Sequence, residues 1–372
     1  MKMKIAILGI RGIPAKYGGF ETFAEQLSIR LVEKSHQVTV YGRSNIIKNY
    51  QTGSYYKGVK LVILPTISYK YLDTITHTFL SIIHSLFQFY DIILICNAAN
   101  TIFSFIPRLF GCKVVINVDG IERRRKKWSL IGKLWYLISE MLCCVFPNEI
   151  VTDNSAIEKY YLRRYNKKST VIPYGYNSEK ILTTNILDRI GLNPREYILF
   201  VARLEPENNA HLVITAFRNV QTNKKLVIVG DAPYAKRYID QLKKLAQDDN
   251  RIVFTGFVFG QGFKELQSNA YCYIHAGEVC GTSPALVEAM GYGNCIIVNG
   301  TAENKEVIGD SGIVYKMNDV EDLSMNLKKI LQCNQDLLNQ YRDNAKKRAI
   351  QYYSWETVTD KYESLFLQML KK

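Results

Sequence analysis

Three short stretches carry residue types at spacings that could do chemistry. The first is Glu278-Val-Cys-Gly-Thr-Ser-Pro-Ala-Leu-Val-Glu288, followed by Ala289, Met290, Gly291 and Gly293. A short apolar strand, Tyr271 to His275, runs into this small-residue loop, which opens a helix. Pro284 suits the first helical turn, where its missing N–H is no loss, and Thr282 or Ser283 can act as the cap. The amides of Ala285 and Leu286 then sit at the positive end of the helix, where an anionic group is stabilised. Glu288, one turn further, can accept hydrogen bonds from sugar hydroxyls. Taken alone, the stretch is an ordinary loop with a surface glutamate; contacts on neighbouring strand ends would give it meaning.

The second stretch supplies them. A strand at 198–202 delivers Arg203-Leu-Glu-Pro-Glu-Asn208, and an arginine fork suits phosphate oxygens. Gly230-Asp231 and Gly256-Phe257-Val258 end the next two strands, where glycine lets a ligand lie against backbone. The third stretch is the loop from Gly9 to Glu21. It is not a G-x-G-x-x-G fingerprint, and no acid closes the second strand, which disfavours NAD. Gly18 and Gly19 permit close approach at a helix start, and Arg11, Lys16, Tyr17 and Glu21 crowd the same loop. Asp119-Gly-Ile-Glu122 follows a strand at 114–118, where an acid could orient or deprotonate an acceptor hydroxyl; Asp119 could equally cap a helix.

A chain of 372 residues exceeds what one core usually serves, so two domains are expected. The βα alternation through 1–175 and again through 195–352 argues for two doubly wound α/β domains with parallel sheets, and a helix over 353–372 that packs back towards the first. Ligands of such sheets bind at the carboxyl ends of the strands, where all three stretches lie. Eight cysteines without C-x-x-C spacing read as reduced cytosolic thiols, and five histidines with no D-x-D pair offer no metal clamp. Residues 1–10 are too short an apolar run for a signal peptide, and Phe79 to Cys96 is broken by His84, Gln88 and Asp91. A soluble or peripheral protein is expected.

Charge is lopsided: residues 1–180 carry a net +13 and the remainder +1. Its sharpest point is Arg123, Arg124, Arg125, Lys126 and Lys127 before Trp128. Such a bias points to an anionic partner: phospholipid headgroups, lipid-linked pyrophosphate or nucleic acid.

The order of the Arg203 loop, Gly230-Asp231, Gly256-Phe257 and the helix start from Pro284 to Glu288 resembles the donor half of glycosyltransferase family 4, of GT-B fold: two Rossmann-like domains facing a central cleft. The first half, with Gly-Ile-Arg-Gly-Ile-Pro, Tyr-Gly-Gly-Phe-Glu-Thr and Val-Asp-Gly-Ile-Glu, resembles bacterial capsule and exopolysaccharide rhamnosyltransferases. The resemblance implies a retaining enzyme without metal or other cofactor. Arg203 would contact the donor diphosphate, Phe257 and Val258 the base, Pro284, Ala285 and Leu286 the phosphate, Glu288 the ribose, and Gly19 the phosphates from the other domain. Where the broad family has a lysine five residues after its arginine, Asn208 stands here; where it has a glutamate eight residues before Glu288, Cys280 stands. Glu278 lies two residues early and could substitute, leaving Arg203, helped by Lys16, with more of the phosphate charge.

The leading expectation is a cytoplasmic transferase, peripheral on the inner face of the plasma membrane. It would move L-rhamnose from dTDP-rhamnose to a polyprenyl-pyrophosphate-linked oligosaccharide. Asp119 and Arg203 carry catalysis, and Arg11, Lys16, Tyr17, Glu21, Asp119 and Glu122 the acceptor. The run from Arg123 to Trp128 would meet the membrane. A glucosyl, galactosyl or N-acetylhexosaminyl transferase of the same fold is the runner-up. A nucleic-acid-binding protein or a non-catalytic partner subunit stands as the alternative from another class, although no nucleic-acid module is apparent.

Overall fold

A computed structural model describes residues 1–15, 18–69, 72–125, 128–176, 181, 183–279 and 281–371. The chain divides into two compact units, each with its own sheet. Unit 1 comprises Met1–Arg124, Trp128–Gly175 and the chain from Trp355 onward; unit 2 comprises Tyr176–Ser354 with the short insertion that begins at Arg125.

Unit 1 runs through β1 (Lys4–Leu8), α1 (Gly19–Glu33), β2 (Gln37–Arg43), β3 (Tyr55–Tyr56), β4 (Val59–Leu64), α2 (Leu72–Leu86) and β5 (Ile92–Cys96). A 3-10 turn, Ala98–Phe103, leads into α3 (Phe105–Leu109), then β6 (Lys113–Val118), α4 (Leu130–Cys143), β7 (Glu149–Thr152), α5 (Ser155–Tyr165) and β8 (Thr170–Val171). The sheet order is β3-β4-β2-β1-β5-β6-β7-β8, parallel except for β3. Successive residues of β1 feed opposite cores: Ile5 and Ile7 pack with α1, Ala6 and Leu8 with the other face. This two-sided burial is why the strands read as unbroken apolar runs.

Unit 2 continues with α6 (Asn185–Arg189), β9 (Tyr197–Val201), α7 (Ala210–Arg218), β10 (Lys225–Val229), α8 (Lys236–Ala246), β11 (Ile252–Gly256), α9 (Gly260–Asn269) and β12 (Cys272–His275). It closes with α10 (Pro284–Gly291), β13 (Cys295–Asn299), α11 (Ala302–Ile308), β14 (Ile313–Tyr315), α12 (Val320–Gln332) and α13 (Gln335–Tyr353). Its sheet, β11-β10-β9-β12-β13-β14, is parallel throughout, and the order reverses between β9 and β12. The last helix, α14 (Trp355–Lys371), belongs to unit 1, where Trp355 and Tyr362 pack against Phe23 of α1.

Several elements depart from the pattern read in sequence. β3 interrupts the polar segment 44–58, α6 lies inside the segment assigned to a boundary, and β14 adds an edge strand. Each is short and takes its order from a neighbour, so its own periodicity is weak. A 3-10 turn, Ala98–Phe103, is separated by Ser104 from α3, and Pro107 sits in the first turn of α3, where it displaces no hydrogen bond.

Candidate active site

Parallel strands bring their following loops to one edge, and in unit 2 the three key loops follow β9, β10 and β12. Arg203 leaves the end of β9 with its side chain about one-third exposed. Its Nη2 lies 3.5 Å from Oε2 of Glu205, a buried carboxylate whose Oε1 accepts from the Tyr234 hydroxyl. Sequence reasoning missed Glu205 and Tyr234, because a carboxylate two residues from an arginine in a loop carries no periodic signal.

The loop is built to hold this arrangement. Asn208, a donor-binding candidate, donates its Nδ2 to the Arg203 carbonyl at 2.8 Å. The shorter amide satisfies loop backbone where a lysine would reach outward. Gly230 follows β10 at φ 133°, and a Cβ there would meet the Ala202 carbonyl oxygen at 1.9 Å. Asp231 turns Oδ1 onto the Ala232 amide at 2.7 Å, and its carbonyl receives the Leu204 N–H at 3.4 Å. Gly230 and Asp231 therefore position the Arg203 loop from the adjacent strand.

After β12, Pro284 begins α10 as expected of a first-turn proline. Ser283 precedes it in extended conformation but makes no side-chain cap bond, and Thr282 is buried. Of the two amides expected to be open, that of Leu286 already donates to the Ser283 carbonyl at 3.1 Å. The first turn tightens to satisfy it, which leaves Ala285 at the open end. Glu288 is partly buried one turn on. Desolvation pushes its pKa up to about 7, against the pull of the Lys264 charge.

Phe257 and Val258 line an open recess of about 470 Å³ with Phe259, Ile186, Arg189 and Glu265. The rings of Phe257 and Phe259 stack at 5.5 Å and 21°. Cys280 lies outside the described residues. Glu278 is tied down beside it: its N–H donates to the Glu207 carbonyl at 2.9 Å, and its Oε1 accepts from Asn318 Nδ2 at 3.1 Å. Among the described residues no cluster of three or more His, Cys, Asp or Glu could hold a metal ion.

The unit 1 candidates are arranged around backbone. Glu21 is buried and accepts the Arg11 N–H at 3.0 Å, so its carboxylate braces the loop and does not face outward. Burial raises its pKa, with the Arg11 N–H and charge opposing. Gly18, at φ 107°, leaves room for that carboxylate; a Cβ there would fall 2.2 Å from Glu21 Oε2. Gly19 is the exposed first residue of α1, and Arg11 is exposed, while Lys16 and Tyr17 lie outside the described residues. Asp119 Oδ1 accepts the Gly120 N–H at 2.8 Å, and Glu122 accepts Trp128 Nε1 at 3.2 Å.

The basic run is also more occupied than its sequence implies. Arg123 Nε bonds Glu140 at 3.1 Å and its Nη2 bonds the Tyr160 hydroxyl at 2.6 Å. Arg125 is buried within unit 2, its Nη1 4.0 Å from Glu205 Oε2, which corrects its expected place on a membrane-facing surface. A carboxylate in low dielectric holds the guanidinium inward. Arg124 stays exposed over the Tyr160 ring, and Lys126 and Lys127 lie outside the described residues.

Residues 184–348 match the family described as Glycosyl transferases group 1, and residues 2–177 match a Domain of unknown function (DUF1972). The O-antigen chain mannosyltransferase B of Escherichia coli is 23% identical over 219 residues, covering 52% of this chain and 56% of that protein. The chain spans about half the length of the curated relatives it matches. Among solved structures, sucrose-phosphate synthase from Thermosynechococcus elongatus superposes with a TM-score of 0.86 at 16% identity, covering 100% of both chains. HepE of Anabaena, in complex with UDP and glucose, gives 0.78 at 16% identity, covering 98% of this chain and 100% of that one. The rhamnosyl specificity expected from the first half finds no support among these relatives. The chain thus carries a group 1 glycosyltransferase domain in unit 2, on the two-domain α/β GT-B fold.

Proposed function

We propose that the protein transfers a sugar from a nucleoside diphosphate to a lipid-linked oligosaccharide in surface-polysaccharide synthesis, with retention of configuration and without metal. The observation that carries the reading is the convergence on one sheet edge of Arg203 after β9, Gly230 after β10 and the start of α10 after β12. A partly exposed guanidinium and a helix N-terminus suit a leaving diphosphate, whose growing charge they would stabilise. Phe257 and Val258 line a recess of a size for a nucleobase, and Glu288 would meet the ribose. Asp119 is assigned to the acceptor hydroxyl, with Arg11, Lys16 and Tyr17 of the Gly9 to Glu21 loop as further acceptor candidates.

L-rhamnose from dTDP-rhamnose is the first donor to test, on the resemblance of the first half. The named activity of the Escherichia coli relative favours a second reading, a mannosyl donor, and the UDP complex of HepE a third. The acceptor's lipid places the protein on the inner face of the plasma membrane.

Purified protein is incubated with dTDP-, UDP- and GDP-sugars, with and without chelator and lipid-linked acceptor, and nucleoside diphosphate release is followed. Release from one donor, unaffected by chelator and raised by acceptor, is expected. A folded protein that releases none of them would overturn the proposal.

A further inference from the structure

Two helices of unit 1 are amphipathic with the wrong side out. Every exposed residue of α4 is apolar: Leu130, Ile131, Leu134, Ile138 and Met141. Its buried residues are Tyr136, Ser139, Glu140 and Cys143. In α2 the exposed residues are Leu72, Phe79, Leu80 and Ile83, and the buried ones His77, Thr78, Ser81, Ile82 and Ser85. α8 in unit 2 shows the ordinary arrangement, with lysines, Arg237, Asp240 and Gln241 outside and Leu242 and Ala246 inside.

Hydrogen bonds fix both helices in this orientation. Glu140 accepts from Arg123, Tyr160 and Tyr165. Thr78 donates to Asn100 at 2.8 Å, and His77 Nε2 meets the Gly42 carbonyl at 3.0 Å. Turning either helix to hide its leucines would break these bonds and leave their partners behind in the interior without them.

The two faces join into one surface. Phe79 of α2 packs on Phe103 at 5.4 Å, and Phe105 of α3 on Phe146, just beyond α4, at 5.2 Å. Phe87, Phe89, Leu109, Phe110 and Val145 extend the surface, all more than 60% exposed. Apolar exposure on this scale marks an interaction site.

Charge identifies the partner. Arg108 donates to the Val145 and Phe146 carbonyls, Lys133 lies on α4, and Arg164 bonds Tyr165, which donates to Glu140 of α4. The only acids in the two helices are Asp73, bonded to Arg43, and the buried Glu140. An apolar face rimmed by cations, on a half-chain of net +13, is complementary to an anionic bilayer. At 15 and 14 residues, α2 and α4 are too short to cross one, and no described helix is long and apolar enough to do so.

We infer that α2, α3 and α4 form a membrane-docking face that lies in the plane of an anionic bilayer, its Leu, Ile and Phe side chains entering the acyl boundary and its Arg and Lys side chains meeting phosphate. It deepens the membrane side of the proposed function but does not rest on sugar transfer, since its test contains no nucleotide.

The full chain is sedimented with vesicles of phosphatidylcholine alone or mixed with phosphatidylglycerol. Binding to the anionic vesicles, at least about ten-fold stronger than to neutral ones, is expected. Ile131→Gln with Leu134→Gln, and separately Phe79→Gln with Ile83→Gln, each weaken it about ten-fold or more with an unchanged melting temperature. Lys243→Gln with Lys244→Gln on α8 leaves it unchanged. In the unaltered chain, brominated lipid quenches the fluorescence of Trp135 on α4. Unimpaired binding by both apolar variants, no binding and no quenching by the unaltered chain, or a dimer in ultracentrifugation that the α4 variant dissociates while vesicle binding persists would each overturn the inference.

Discussion

Arg203 Nη2 stands 3.5 Å from Glu205 Oε2, and the same oxygen is 4.0 Å from Arg125 Nη1. One buried carboxylate thus sits between two guanidiniums beside the end of β9, next to the place where an anionic leaving group is proposed to sit. The Tyr234 hydroxyl on the other carboxylate oxygen keeps Glu205 from rotating away.

Replacing Arg203 by Ala removes the exposed half of this arrangement. If it holds leaving-group charge, kcat should fall about 100- to 1000-fold with the melting temperature unchanged. Single-turnover assays check this; wild-type turnover in the variant would remove Arg203 from the chemistry.

Gly230→Ala tests positioning from the next strand. Its Cβ would collide with the Ala202 carbonyl oxygen at 1.9 Å, in a conformation few side chains adopt. A stability loss on the order of 3 kcal/mol is expected, measured by denaturant unfolding.

Glu288 gives a pH signature. Its folded pKa, about 7, lies above the ordinary 4.5, so the folded state binds the extra proton. The penalty is absent below pH 4.5, grows as pH rises towards 7 and is full above it, at most about 3 kcal/mol. Glu288→Gln should therefore melt higher than the unaltered protein at pH 8 and equally at pH 4; the same difference at both pH values would contradict it.

Phe257→Ala opens the recess beside Val258. Nucleoside diphosphate binding, followed by calorimetry, should weaken by about 1 to 3 kcal/mol if a base stacks there. Equal affinity would place the base elsewhere.

Asn208→Ala frees the Arg203 carbonyl from its 2.8 Å brace. About 1 kcal/mol of loop stability should go with it, seen as faster amide exchange from Arg203 to Asn209 and a higher KM for the donor.

Much of this was written in the chain itself. Buried strands such as Ile92–Cys96 and Cys272–His275 are unbroken apolar runs, and Pro284 with Gly291 and Gly293 punctuates α10, so composition and spacing alone determined the βα order and the loops that carry chemistry. The βα alternation put helices at α2 and α4 but could not say which face turns inward. Glu140, Thr78 and His77 decided that, through partners distant in sequence. The partners of Glu205, Asn208 and Arg125 were likewise decided only by folding. A charged or amide side chain on a loop has no preferred direction of its own, and only the groups that desolvate and bond it decide whether it faces a ligand or the protein.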